Sequence, residues 1–222
     1  QRQMCIRDSL QIVWPELDVN VVSTTEQWAG AAIAGPKSRD MLSKLYPDLD
    51  VSNDALPFMG YKEAEFFGVP SRIFRISFSG ELAYEINVKS DHGMFMWEKM
   101  MEVGKEFGNQ PYGTEALSTL RIEMGHVAGP ELDGRTIPSD VSLNGLVSKK
   151  KDFIGKNSLG REAFNVESRQ KIVGLIPIDR KSSIPEGSHI VQDQNAKLPN
   201  PKLGHVSSSC WSVENNLSLI HI

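Results

Sequence analysis

Apolar residues change their spacing several times along the chain, and each change predicts an element. Residues 19–23 alternate apolar with small side chains and read as a strand. Residues 29–34 are small and apolar and stop at Gly35-Pro36, as a buried strand does. Pro36 then takes the first position of a predicted helix, where its missing N–H costs nothing. Met41, Leu42 and Leu45 supply the helix stripe and Pro47 ends it. From Tyr61 the period becomes two. Phe74, Ile76 and Phe78 face one way against Arg75 and Ser77, and Ser79-Gly80 turns the chain. Leu82, Tyr84, Ile86 and Val88 then form a second apolar face opposite Glu81, Ala83, Glu85 and Asn87, which predicts a hairpin.

Asp91 is placed to cap a helix whose stripe is Met94, Trp97, Met101 and Gly104, widened by Phe95 and Met100. A further helix spans about 114–124, with Leu117, Leu120 and Met124 on one side and Gly125 as its stop. Residues 126–155 are loop-rich and include the basic run 149–151, read as a solvated edge. After a short helix near 158–164, the polar stretch 165–170 is where a domain boundary is expected. Short strands beyond it (171–178, 189–192, 203–211), separated by Pro- and Gly-bearing turns, predict the start of a small C-terminal β-barrel. The fold class is α+β, with mixed or antiparallel sheets and helices.

Both ends differ in character from what they join. Residues 1–9 (QRQMCIRDS) and 217–222 (LSLIHI) resemble the scars that sequencing adapters leave on assembled fragments. They are set aside from the fold as non-native. On that reading Cys5 and His221 are foreign, the first domain is 10–165 and truncated at its start, and the barrel subdomain is 169–216 and truncated at its end.

Composition narrows the function classes. The 222 residues are 40% hydrophobic and carry a net charge of −4, so no basic surface is offered to nucleic acid or anionic lipid. The longest apolar run, residues 28–36, is too short to span a bilayer. Two cysteines and five scattered histidines have no metal-ligand spacing, so no metal site is expected. The cysteine usage points to a reducing, cytoplasmic setting. There is no dinucleotide fingerprint, phosphate loop or nucleophile elbow.

Four segments carry a resemblance. Residues 75–86 (RISFSGELAYEI) resemble the RTGYTGExGYEI stretch of glycine-cleavage aminomethyltransferases. Residues 112–125 (YGTEALSTLRIEMG) are similar to that family's GxxARDxLRxExG helix. Thr136 with Pro138, and residues 204–209 (GHVSSS), fall in register with further family segments. Within the superfamily, residues 23–28 (STTEQW), 35–39 (GPKSR), the YGTEA variant at 112–116 and 203–209 (LGHVSSS) resemble sarcosine oxidase alpha subunits, in their C-terminal folate-binding domain.

The resemblance implies an aminomethyltransferase-like folate-binding fold, with tetrahydrofolate held in a cavity and Glu85 as the pterin-binding carboxylate. A pterin edge presents neighbouring N–H donors, which an ionised carboxylate meets with two parallel acceptors. Tyr84 is the second cofactor-binding candidate, although a core role competes for it. No catalytic residue is assigned, because the family's aspartate corresponds to a position upstream of this sequence. Arg75 and Arg121 are read as structural ion-pair residues. The family's arginine in the 114–124 helix falls on Leu117, which departs from the glycine-cleavage enzymes and agrees with sarcosine oxidase. The implied reaction is capture of the one-carbon unit of sarcosine as 5,10-methylenetetrahydrofolate, leaving glycine. FAD, FMN and NAD are expected on other parts of a hetero-oligomeric complex. The alternatives are a glycine-cleavage aminomethyltransferase and a non-catalytic folate-binding accessory protein. A fragment of this kind is not expected to be active alone.

Overall fold

The computed structural model describes residues 7–222. Residues 1–6, with Cys5 and most of the N-terminal segment set aside above, lie outside the described residues. The chain divides into two compact units: Gln1–Ser77 with Glu81–Gln110, and Phe78–Gly80 with Pro111–Ile222.

The first unit is a four-stranded antiparallel sheet with helices on one face. Strands β1 (Trp28–Ala34), β2 (Tyr61–Phe66), β3 (Val69–Phe74) and β4 (Ala83–Lys89) lie in the order β1-β4-β3-β2. Period-two patterning sorts their side chains. Ile33, Ile73, Tyr84, Ile86 and Val88 point to one face and are buried, together with Phe66 at the end of β2. Helices α1 (Ser38–Leu45) and α2 (Gly93–Gly104) bring Met41, Leu42, Leu45, Met96 and Met100 into the same core cluster. A fully enclosed side chain of this size contributes roughly 1.5–3 kcal/mol.

Five expectations change here. Residues 19–23 form no strand: Val22 is 77% exposed, and an apolar alternation without a partner strand has no ladder to join. The hairpin is wider than expected. Phe74 pairs with Glu85 and β3 starts at Val69, so residues 75–82 form an open connection in which 78–80 belong to the second unit. The strand phase also differs, since Ile73 faces the core and Phe74 the other side. On α2 the buried stripe is Met96, Met100 and Gly104, while Met94 and Trp97 are exposed. That helix is apolar nearly all round, so spacing alone leaves its phase open. Asp91 sits in a short turn ahead of α2 and makes no cap.

In the second unit, helix α3 (Thr114–Glu123) ends in a Schellman motif. His126 N–H donates to Arg121 C=O at 2.8 Å and Gly125 N–H to Ile122 C=O at 3.0 Å, with Gly125 at φ +69°. After helix α4 (Lys156–Leu159) come β5 (Gly174–Leu175), β6 (His189–Val191), β7 (Lys202–His205), β8 (Ser208–Ser212) and β9 (Leu217–His221). They make a β5-β9-β8 sheet and a separate β6-β7 ribbon rather than one continuous barrel wall. The division between the compact units falls near residue 110, and within the second unit α3 packs against β8 and β9. Residues 217–221, left out of the fold above, form the central strand of that sheet, with Ile220 buried.

Candidate functional site

The face of the first sheet opposite its helices carries Glu85. Antiparallel register places it between Ala32 on β1 and Phe74 on β3, and Phe74 pairs in turn with Tyr61 on β2. Directly opposed side chains share a face, about 4.5–5.5 Å apart at Cβ. The row Ala32–Glu85–Phe74–Tyr61 therefore sets one carboxylate between an exposed methyl group and two rings. The Phe74 and Tyr61 rings lie 5.0 Å apart at their centroids. Glu85 and Phe74 are half-buried, and Ala32 and Tyr61 are exposed.

A neighbouring carboxylate on the same face is engaged. Glu63, two residues from Tyr61 on the same face, accepts from the Tyr61 hydroxyl and stands 3.5 Å from Arg72 Nε. Arg72 lies over the Trp28 ring, 4.1 Å from its centroid. Glu85 has neither a hydrogen bond nor an ion pair among the described residues. It is a half-buried anion with its acceptors free, beside a flat apolar ring.

Tyr84 is placed differently. It is the next residue on the strand, so it points through the sheet and is fully enclosed in the helix-side core, with its hydroxyl unpartnered. The structure does not bring Tyr84 and Glu85 together, because alternation along a strand separates neighbours onto opposite faces. Phe74 and Tyr61, which share the Glu85 face, are strand residues in the sequence pattern but not site candidates. The signal for them is the cross-strand register, which the shifted β3 start had concealed.

The two arginines read as ion-pair residues also part company. Arg121 on α3 is buried and pairs with Glu131 at 2.9 Å. Glu131 further accepts from Ala128 N–H at 2.8 Å, Ser207 Oγ at 3.0 Å and Ser208 Oγ, while Arg121 donates to Ser208 Oγ at 2.6 Å. Burial alone would raise the Glu131 pKa. The charge and hydrogen bonds around it prevail and hold it well below the usual carboxylate range. His221 Nδ1 stands 3.8 Å from Glu131, beyond hydrogen-bond range. Arg75 has no carboxylate partner and donates to Leu56 C=O at 3.0 Å. A cavity of about 330 Å³ lies in the second unit, where Arg169 and Asp140 pair at its wall; Glu85 is not part of its lining. The 149–151 run is exposed and its backbone N–H groups turn around Ser148 Oγ. Among the described residues no group of His, Cys, Asp and Glu could hold a metal, and no helix is long and apolar enough to cross a membrane.

The chain belongs to the GCVT N-terminal domain family, whose model matches residues 2–151. It is 44% identical over 205 residues to the sarcosine oxidase subunit alpha of Rhizobium meliloti (strain 1021), covering 91% of this chain and 21% of that protein. It is 32% identical over 207 residues to the aminomethyltransferase of Thermoanaerobacter sp. (strain X514), covering 91% and 53% respectively. The crystal structure of glycine cleavage system aminomethyltransferase T from Bartonella henselae superposes with a TM-score of 0.71 at 23% identity, over 87% of this chain and 50% of that one. The fold is thus that of the aminomethyltransferase T-protein. The chain spans about a fifth of the sarcosine oxidase subunits it matches.

Proposed function

We propose that this chain is the folate-binding part of a sarcosine oxidase alpha subunit, and that Glu85 holds the pterin ring of tetrahydrofolate. The identity of 44% to a sarcosine oxidase alpha subunit, against 32% to an aminomethyltransferase, favours that branch of the family. The free carboxylate of Glu85 on an open sheet face carries the site assignment. Its two oxygens would accept the paired N–H donors of the pterin edge, and Phe74 would border the ring. Tetrahydrofolate supplies a nucleophilic amine that takes up the one-carbon unit released when sarcosine is oxidised, giving 5,10-methylenetetrahydrofolate and glycine. The protein's part is capture: a nucleophile held in place raises the effective concentration at which the unit is met. The oxidation itself is assigned to FAD, FMN and NAD sites elsewhere in a hetero-oligomeric, cytoplasmic complex.

The test is calorimetry of tetrahydrofolate binding to the complete subunit. Glu85→Ala removes charge-assisted bonds worth about 1.5–3 kcal/mol, roughly 10- to 150-fold in Kd. Glu63→Ala, on the same face but already engaged by Arg72, should leave Kd unchanged. Equal affinity of the Glu85→Ala variant and the unmodified subunit removes Glu85 from the site.

A further inference from the structure

The helix-side corner of the first unit collects hydrogen-bond donors and cations without an anion to meet them. The Tyr84 side chain is fully enclosed, yet its hydroxyl has no partner. Burial raises the Tyr84 pKa, and the charges of Arg39 and Arg75, both close enough to act on the hydroxyl, oppose that rise. Arg75 Nε is buried and unpartnered as well, and so is Ser77 Oγ two residues on. From the other side, the Arg39 guanidinium lies 5.8 Å from the centre of the Tyr84 ring.

The remaining donors of both arginines are directed at neutral groups. Arg39 donates to Val51 C=O and, at 2.7 Å, to Asn53 Oδ1; Arg75 donates to Leu56 C=O. Neither has a carboxylate within ion-pair distance among the described residues. Two half-buried positive charges are therefore left without a counter-ion, around orphan donors. Unpaired buried charge is costly, so a structure that holds such a corner has reason to recruit its missing partner. A water molecule satisfies donors but needs acceptors for its own hydrogens. An anion needs donors alone.

We propose that Arg39, Arg75 and Tyr84 enclose a binding site for a monoatomic anion of the chloride type. Tyr84 is fully enclosed, so the occupant has to be small, which argues against phosphate and sulfate. The site lies on the opposite face of the sheet from Glu85 and is independent of the folate reading. Its role is to lock the 51–58 loop, which Arg39 and Arg75 grip, onto the sheet.

Thermal unfolding of the full chain in sodium chloride and in sodium gluconate, at equal ionic strength, provides the test. Chloride at about ten times its Kd should raise Tm by about 3–6 °C over gluconate. Tyr84→Phe should lose at least half of that response, and in gluconate it should be no less stable than the unmodified protein, since it sheds an orphan donor. Tyr46→Phe is the control: its hydroxyl is satisfied by Ser71 Oγ at 2.9 Å, so its cost should be the same in both salts. Crystals grown in bromide should show an anomalous peak within hydrogen-bond range of Tyr84 Oη. No chloride response, a response that Tyr84→Phe leaves unchanged, or a water without anomalous signal at that position would each overturn the proposal.

Discussion

The Arg121–Glu131 pair offers a sharp quantitative test of what holds the second unit together. Its side chains are 4% and 1% exposed, and every group facing the Glu131 carboxylate can donate to it. Glu131→Gln keeps the shape but removes the charge and turns an amide N–H₂ toward existing donors. Arg121 is then a buried cation with Ser208 Oγ and His126 C=O as its remaining partners. Removing one member of a buried pair costs about 3–5 kcal/mol, because the other is left uncompensated. With a urea m-value of about 1–3 kcal/mol/M, the unfolding midpoint should fall by roughly 2 M.

Trp211 is the one tryptophan of the second unit; Trp14, Trp28 and Trp97 belong to the first. Replacing those three by Phe makes Trp211 fluorescence a report on the second unit alone. The folded-state pKa of Glu131 is lowered, so the sign of the pH effect follows. Its contribution is complete above the ordinary value of 4.5 and is lost as pH falls through and below it. The gap between Glu131→Gln and the unmodified protein should therefore narrow below about pH 4.5. Combining Glu131→Leu with Arg121→Met should cost less than the two single changes summed, since neither charge is then stranded. A loss under about 1 kcal/mol at pH 7, or strict additivity, would show that the network is not what closes this unit.

Two further outcomes follow from local geometry. Gly80 has φ +85°, and a Cβ there would fall 2.0 Å from Met124 Cγ, so Gly80→Ala should cost about 1–3 kcal/mol by scanning calorimetry. Trimming Met124 to Ala in the same chain should recover part of that; a neutral Gly80→Ala would refute the contact. Burial, with Glu123 nearby, pushes the Cys210 thiol up to about 11 from 9.0. At pH 8 its thiolate fraction, and with it iodoacetamide labelling, should fall about 100-fold below that of a free thiol, and denaturation should restore it. Labelling of the folded protein at the unhindered rate would contradict this.

How much of the fold was legible depended on whether a segment's pattern had one phase or several. Residues 29–34 and the alternating run to Val88 have apolar residues at one spacing only, bounded by turn residues, and both became strands. The sequence Gly-Met-Phe-Met-Trp-Glu-Lys-Met-Met fixes a helix but not which side of it is buried, because methionines occupy both sides. Apolar identity at 74, 76 and 78 suggested a strand face that the fold does not use. There the backbone leaves the sheet after Phe74, and exposed Phe78 instead meets His126, ring centroids 4.9 Å apart. The division near residue 110 was hidden for a related reason: α3 packs on strands some 90 residues later, and contacts at that distance leave no periodic trace.

The same distinction separates the parts of the candidate site. Glu85 could be named from sequence because it sits in a motif and at a polar position of a two-faced strand. Tyr84 could be named only by its place in the motif, and the strand's own alternation argues against it: a ligand on the Glu85 face has the sheet backbone between itself and the Tyr84 ring. Phe74 and Tyr61 border Glu85 through pairings between three strands, and Glu131 meets Ser207 and Ser208 across 76 and 77 residues. None of these residues is unusual in its local sequence. What makes them parts of a site is the register that brings them opposite one another. If Glu85 binds the pterin, Phe74 should matter to affinity, although no motif contains that pairing.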